Sequence, residues 1–221
     1  MSQVTYADVK NCDEINTYIR QADVSLKAMG YTEHSFAHVT RCAELAAGWL
    51  LELGGTEREA ELARVAAYMH DIGNVINRYG HAQTGAGLAF RLLDKLGFDA
   101  EEIAVVITAI GNHDEETAHA VNAVAAVLIL ADKTDVRRSR VRNDDVAAFD
   151  IHDRVNYAVT KADTVLDVEE RTLTLDLDVD TEICPVMDYF EIFLGRMILC
   201  RRAADFFNLK FRLVINGSKL M

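Results

Sequence analysis

Ala67-Tyr68-Met69-His70-Asp71-Ile72-Gly73 is the stretch on which the reading of this chain turns. An apolar helical run closes on a histidine directly followed by an aspartate, and a glycine then stops the helix. Imidazole and carboxylate are both ligands for a divalent ion of intermediate hardness, such as manganese, iron or cobalt. Side by side, they can hold one ion from two directions. His-Asp dipeptides also arise by chance, so the weight comes from further histidines on either side.

Working outward, helical signals surround the pair. Thr56 with Glu59 forms a capping box, which starts the helix that ends at His70-Asp71. Upstream, Ile15, Tyr18, Ala22 and Leu26 fall at helical spacing between about Asn11 and Met29, with Gly30 as the stop. Thr32 is read as the cap of the next helix, running to Leu53 before Gly54-Gly55. In that helix His34 and His38 are four apart and share a face. Downstream of the pair, a loop from Asn74 to Gly80 leads to a helix through Leu88, Leu92 and Leu96. Asp99 with Glu102 opens another, through Ile103, Val106, Ile107 and Ile110 towards His113. Thr117 is read as the start of a helix whose Val121-to-Leu130 run is apolar on nearly every face. It is expected to be central and to deliver Asp132 at its end. Asp150 caps a further helix through Val155 and Val159.

The pattern changes near Asp163. Leu173, Leu175, Leu177 and Val179 alternate with polar residues as a half-buried strand does, with Thr164 to Val168 as hairpin partner and a turn at Glu169-Glu170-Arg171. Pro185, the only proline, suits the first turn of a helix reaching about Phe207. Phe211, Leu213 and Ile215 alternate again. The expected fold is mainly α: a helical domain over residues 1–162, then a small α+β appendage of ββαβ order over 163–221.

The 221 residues fit one substantial domain with a small appendage, and a 50% hydrophobic content suffices for a large core. No run of about 18 apolar residues lacks charge, so no membrane span is expected. Met1-Ser2-Gln3-Val4 has neither a basic nor an apolar leader region, so no signal peptide is expected. Cys12, Cys42, Cys184 and Cys200 form no CxxC pair and read as reduced thiols of a cytoplasmic protein, most of them core filler. A net charge of −12 excludes general binding of long nucleic acids, which needs a basic footprint. Against that background, Lys133, Arg137, Arg138, Arg140 and Arg142 crowd into ten residues.

A single histidine on an apolar face is more often a hydrogen-bonded core residue than a ligand, and His119 and His152 are read that way. His34, His38, His70, His81 and His113 differ, because they recur at helix starts and ends beside acids and small residues. Asp132 closes an apolar helix, where a carboxylate must be paired, solvated or bound to metal. As a set they point to a metal site.

These segments resemble the HD-domain superfamily of metal-dependent phosphohydrolases. "HVTRCAELA" (His38 to Ala46) is similar to that family's first-histidine helix, "AAYMHDIGN" carries the His-Asp pair, and "LILADKTD" carries a final aspartate, Asp132. The match runs from about Tyr31 to Arg142 and implies a helical-bundle HD fold. It also implies a first ion held by His38, His70, Asp71 and Asp132. "HAQTGAGLA" (His81 to Ala89) and "AIGNHDE" (Ala109 to Glu115) resemble the segments that bring two further histidines in the two-metal subset. By that resemblance His81 and His113 hold a second ion and Asp71 bridges the two. Manganese, iron, cobalt, magnesium or nickel all remain open. Asn74 stands where many relatives have a lysine. Asp114 and the missing Gly-Tyr-Pro signature set the chain apart from the cyclic-dinucleotide branch. His34 is an alternative first ligand, a ligand to a third ion or a substrate contact; the alignment of Val39, Arg41 and Ala43 favours His38 as the ligand.

The activity so implied is hydrolysis of a phosphate mono- or diester of a small nucleotide or related metabolite. Two cations about 3.5–4 Å apart polarise a phosphoryl oxygen and lower the pKa of a water, giving a hydroxide for in-line attack. His70 and Asp71 are the expected catalytic pair. His34, Lys133, Arg137, Arg138 and Arg140 are the expected contacts to substrate phosphate, since arginine forks fit its oxygens. The alternative for the arginines is a solvated segment paired with the chain's many acids. Two other functions fit the same ligands: a di-iron oxygenase of the HD fold, and a nucleotide-sensing module with an idle metal site. A homo-oligomer is possible.

Overall fold

The computed structural model describes residues 3–142 and 149–221. Met1 and Ser2, part of the stretch read for a leader, and residues 143–148, inside the expected helical domain, lie outside the described residues. The chain forms two compact units, Met1–Asp132 and Lys133–Met221. The division falls well upstream of the residue 162 boundary expected from the sequence. The reason is the helix after Asp150, which packs on the 3-10 turn before it and on the first strand and long helix that follow it. Among the described residues no helix is long and apolar enough to cross a membrane.

In the first unit, α1 (Tyr6–Lys10) and α2 (Asp13–Ala28) precede α3 (Phe36–Glu52) and α4 (Glu57–Met69). α1 was not expected; its capping box joins Thr5 and Asp8. Ser35, not Thr32, caps α3, its hydroxyl accepting from Ala37 N–H at 3.2 Å. His34 therefore precedes the helix and does not share a helical face with His38. The ring centroids still lie 5.7 Å apart. The expected capping box of α4 is present, with Thr56 N–H donating to Glu59 at 2.8 Å.

A 3-10 turn, Ile72–Val75, replaces the start of the expected loop and leads to α5 (His81–Leu96). α6 (Ala100–Gly111) is capped by Asp99, as its sequence predicts. α7 (Ala123–Lys133) begins six residues later than the expected Thr117. Asn122 provides the start, its side-chain oxygen accepting from Ala125 N–H at 2.7 Å. Val124 through Ala131 are all buried, as an all-round apolar run requires.

The packing that positions the site lies between the 3-10 turn and α5. A Cβ on Gly73 would lie 2.0 Å from the His81 carbonyl oxygen and 2.6 Å from Gly85 N. Only glycine lets the turn after Asp71 approach the first turn of α5 so closely. Opposite it, Gly85 has room for little more, since a Cβ there would meet Gly73 N at 3.2 Å and His70 O at 3.3 Å.

The second unit contains a 3-10 turn (Arg138–Arg140), α8 (Ile151–Ala158), β1 (Val159–Asp167), β2 (Thr172–Val179), α9 (Val186–Phe206), β3 (Lys210–Ile215) and β4 (Ser218–Lys219). The sheet order is β1-β2-β3-β4, with β2 and β3 parallel and the other pairs antiparallel. β1 begins at Val159, which was read as helical, and β4 was not expected. α9 supplies the crossover that a parallel pair needs. Leu173, Leu175, Leu177, Phe211, Leu213 and Ile215 are buried, so the period-two alternation marks the covered face.

Candidate metal centre

Six residues expected to be ligands converge inside the first unit. His38 comes from α3, His70 and Asp71 from the end of α4, His81 from the first residue of α5, His113 from just beyond α6, and Asp132 from α7. All are buried, with Asp71 at 6% and Asp132 at 9% exposure and the four histidines at 2% or less. Such a concentration of unsolvated polar groups is costly unless something binds them.

Three of the histidines share one local device. His70 Nδ1 lies 2.7 Å from the Ala67 carbonyl, His81 Nδ1 3.0 Å from that of Arg78, and His113 Nδ1 2.6 Å from that of Ile110. Each time the carbonyl belongs to the residue three positions earlier. A carbonyl only accepts, so these contacts assign the ring proton to Nδ1 and leave the Nε2 lone pair pointing inward. This is how a protein orients neutral imidazole ligands towards a metal.

Two carboxylates meet those lone pairs. His38 Nε2 lies 3.3 Å from Asp132 Oδ1 and 3.8 Å from Asp71 Oδ2. His70 Nε2 lies 3.1 Å from Asp71 Oδ2 and 3.7 Å from Asp132 Oδ1. On the other side, His81 Nε2 lies 3.6 Å from Asp71 Oδ1 and 3.2 Å from His113 Nε2. His38, His70 and Asp71 form one group of ligand atoms within 4.8 Å of one another, and Asp71, His81 and His113 form another. Asp71 belongs to both, with Oδ2 towards the first and Oδ1 towards the second.

The donor set fits a cation. His70 Nε2 and Asp71 Oδ2 are buried 3.1 Å apart without an established hydrogen bond to either. Burial, the largest influence on His70, opposes a charged ring, but Asp71 and Asp132 outweigh it and push its pKa up to about 9. Burial likewise opposes ionisation of Asp71, yet the positive character of His70, His34 and His81 holds it well below the ordinary carboxylate range. The pocket therefore favours positive charge where these lone pairs converge.

Several further residues support the candidate ligands. Asn74 donates from Nδ2 to Asp71 Oδ1 and to the Asp71 carbonyl, both at 2.9 Å, and so fixes the shared carboxylate. Its signal was position, one helical turn past Asp71. Cys42, read with the core filler, packs its sulfur 3.7 Å from His38 Nδ1 and donates to the Ala131 carbonyl. It lies four residues after His38 on the same face of α3. Gln83 bonds the Gly111 carbonyl at 3.2 Å and Thr117 Oγ1 at 3.0 Å, tying α5 to the segment that carries His113. Asp114 Oδ1 approaches His81 Nε2 at 3.9 Å. His119 is exposed.

The other expected contacts have different surroundings. His34 N–H donates to Asp23 Oδ1 at 3.1 Å, and its Nδ1 lies 2.7 Å from the Thr32 carbonyl. Lys133, Arg137, Arg138 and Arg140 belong to the second unit. There Arg137 forks onto Asp135 at 2.5 and 3.0 Å, and Arg138 donates to the Tyr157 carbonyl while its guanidinium sits 4.5 Å from the Tyr157 ring centroid. Arg140 is buried and donates to the Asp135 carbonyl at 2.8 Å, and Lys133 is buried as well.

No match is found among curated proteins. Among solved structures, the chain is similar to a protein described as a predicted HD superfamily hydrolase from an uncultured Thermotogales bacterium. Identity is 26%, the alignment covers 56% of this chain and 67% of that one, and the TM-score is 0.45. The HD-domain family model matches residues 35–138, a span that begins at the cap of α3 and includes all six converging residues. Over these residues, just under half of its length, the chain is similar to the HD-domain family.

Proposed function

We propose that the protein is a metal-dependent phosphohydrolase with a two-ion centre, acting on a phosphate mono- or diester of a small nucleotide or related metabolite. The observation that carries this reading is the sharing of Asp71 between two ligand groups, one oxygen to each. His38, His70, Asp71 and Asp132 would hold one ion, and Asp71, His81 and His113 the other. The chemistry such a pair supplies is Lewis acidity towards a phosphoryl oxygen and a water acidified towards neutrality.

The rest falls to the chain itself. The carbonyls of Ala67, Arg78 and Ile110 keep the ring protons on Nδ1, so the inward nitrogens stay available. Asn74 holds Asp71 in place. Burial keeps bulk water from the histidines, which strengthens every charge interaction near the phosphate. An acidic chain of net charge −12 suits a small phosphorylated substrate better than a long nucleic acid, where each phosphate needs its own cation.

The test is metal analysis of anaerobically purified protein, followed by a panel of phosphomonoesters and phosphodiesters. Two ions per chain with turnover of at least one ester is the expected result. Full metal loading without turnover of any ester ends this reading. Iron with substrate-dependent oxygen uptake would replace it with the oxygenase.

A further inference from the structure

We propose that Arg78 is the anion-binding cation of the helical unit and grips the substrate's phosphate beside His81. The inference rests on the phosphohydrolase reading and deepens it by naming a residue that recognises the substrate's charge.

Arg78 lies in the connection between the 3-10 turn and α5, three residues before His81. It holds both edges of that imidazole. Its carbonyl accepts from His81 Nδ1 at 3.0 Å, while its own Nη1 lies 3.4 Å from His81 Nε2. The guanidinium also sits over the Tyr31 ring, 5.6 Å from the centroid, which restrains its plane. Arg78 is half-buried, so the charge is partly desolvated but can still meet a ligand from solvent.

Acids outnumber bases in this chain, 35 acidic residues against 23 lysines and arginines. In the same unit Arg58 pairs with Glu102, Arg64 with Glu44 and Glu61, and Arg91 with Glu14. Arg78 has no carboxylate within ion-pairing distance among the described residues, and Asp114, the nearest acid to His81 Nε2 after Asp71, does not reach it. A half-buried guanidinium with no acid partner, placed against a candidate metal ligand, leaves its charge available to an anion from outside. The fork of guanidinium donors fits two oxygens of one phosphate. A His81 lone pair given to a divalent ion is no longer an acceptor for Nη1, so that donor falls to an anion bound beside the ion.

The test is calorimetric titration of inorganic phosphate into manganese-loaded wild type, Arg78→Ala and Arg78→Lys, with manganese measured in each. Removing a charged hydrogen bond to an anion should weaken phosphate binding about tenfold or more in Arg78→Ala. Arg78→Lys should recover part of it, and manganese content should match wild type in both variants. Phosphate affinity unchanged in Arg78→Ala overturns the proposal. Loss of manganese in Arg78→Ala overturns it too, since the residue would then act on His81 and not on the anion. A wild type that binds phosphate through Arg78 but cleaves no ester sinks the phosphohydrolase reading and leaves the anion site standing. A manganese-loaded wild type that binds no phosphate overturns both.

Discussion

His81 Nε2 and His113 Nε2 face each other at 3.2 Å, and each ring has already committed its Nδ1 proton to a backbone carbonyl. Two lone pairs at that distance repel unless a positive charge lies against both. Asp71 Oδ1, 3.6 Å from His81 Nε2, adds a third donor to the same spot. A protonated ring would relieve the repulsion only by giving up its Nε2 lone pair as a ligand. A divalent cation satisfies all three donors at once.

That relationship separates the two ligand groups experimentally. His81→Ala should lower metal content from two ions per chain to about one, because His38, His70, Asp71 and Asp132 remain. His70→Ala or Asp71→Ala should remove bound metal and turnover while the helical unit stays folded, since the loss is of inward-facing polar groups. Elemental analysis with circular dichroism reads both outcomes. Unchanged metal content in His81→Ala would make that histidine a plain hydrogen-bonding residue.

Gly73→Ala should damage the centre without touching a ligand. Its new methyl group would sit 2.0 Å from the His81 carbonyl, so the 3-10 turn or the start of α5 must shift. Overpacking of this kind costs about 1–3 kcal/mol of stability. Metal affinity should fall too, because the shift moves His81 relative to Asp71. Chemical denaturation alongside a metal titration checks the pairing of effects; a variant with native stability and native metal affinity would show that this contact is not what positions His81.

Acid stability should depend on Glu102. The Arg58 fork beside it, at 2.5 and 2.6 Å, holds its carboxyl below the usual glutamate value of 4.5, with burial opposing the effect. A lowered folded-state pKa contributes stability that is present above 4.5 and lost as pH falls below it. Arg58 also donates to the Val4 carbonyl at 2.8 Å, so the same residue fastens the N-terminal segment to α4 and α6. Glu102→Gln should cost about 1–2 kcal/mol at neutral pH, between an exposed pair and a charged hydrogen bond. The difference from wild type should shrink as pH drops through that range, as measured by urea unfolding at several pH values. A difference that stays constant with pH would rule the carboxylate out as its source.

The arginine cluster divides by environment. Arg140 is buried against the Asp135 carbonyl, so Arg140→Ala should cost about 1.5–3 kcal/mol in stability. Arg137, forked onto Asp135, should cost about 1 kcal/mol or less as a partly exposed pair. If either grips substrate phosphate, kcat/KM should fall about tenfold at constant metal content. Normal turnover with a lowered unfolding midpoint assigns these arginines to the packing of their own unit.

Much of this was present in local sequence. The Thr56 and Asp99 caps and the alternation of Leu173, Leu175 and Leu177 are read correctly because their causes lie within a few residues: a side chain bonding the next turn, or a period matching one covered face. The candidate ligand types and their order along the chain were equally legible, since His38, His70-Asp71, His81, His113 and Asp132 are chemically distinctive. What only the tertiary structure decided depends on contacts between residues distant in sequence. Thr32 and Ser35 are both good caps, and the choice of Ser35 moved His34 out of the helix. The close approach of Gly73 to Gly85 brings His81 onto Asp71, and no pattern within either segment encodes that distance. Cys42 and Arg78 look ordinary in a linear reading, and Asn74 stands out there only as a replacement for lysine. Their roles come from where folding places an amide, a thiol and a guanidinium against a cluster of lone pairs, and that placement is a property of packing.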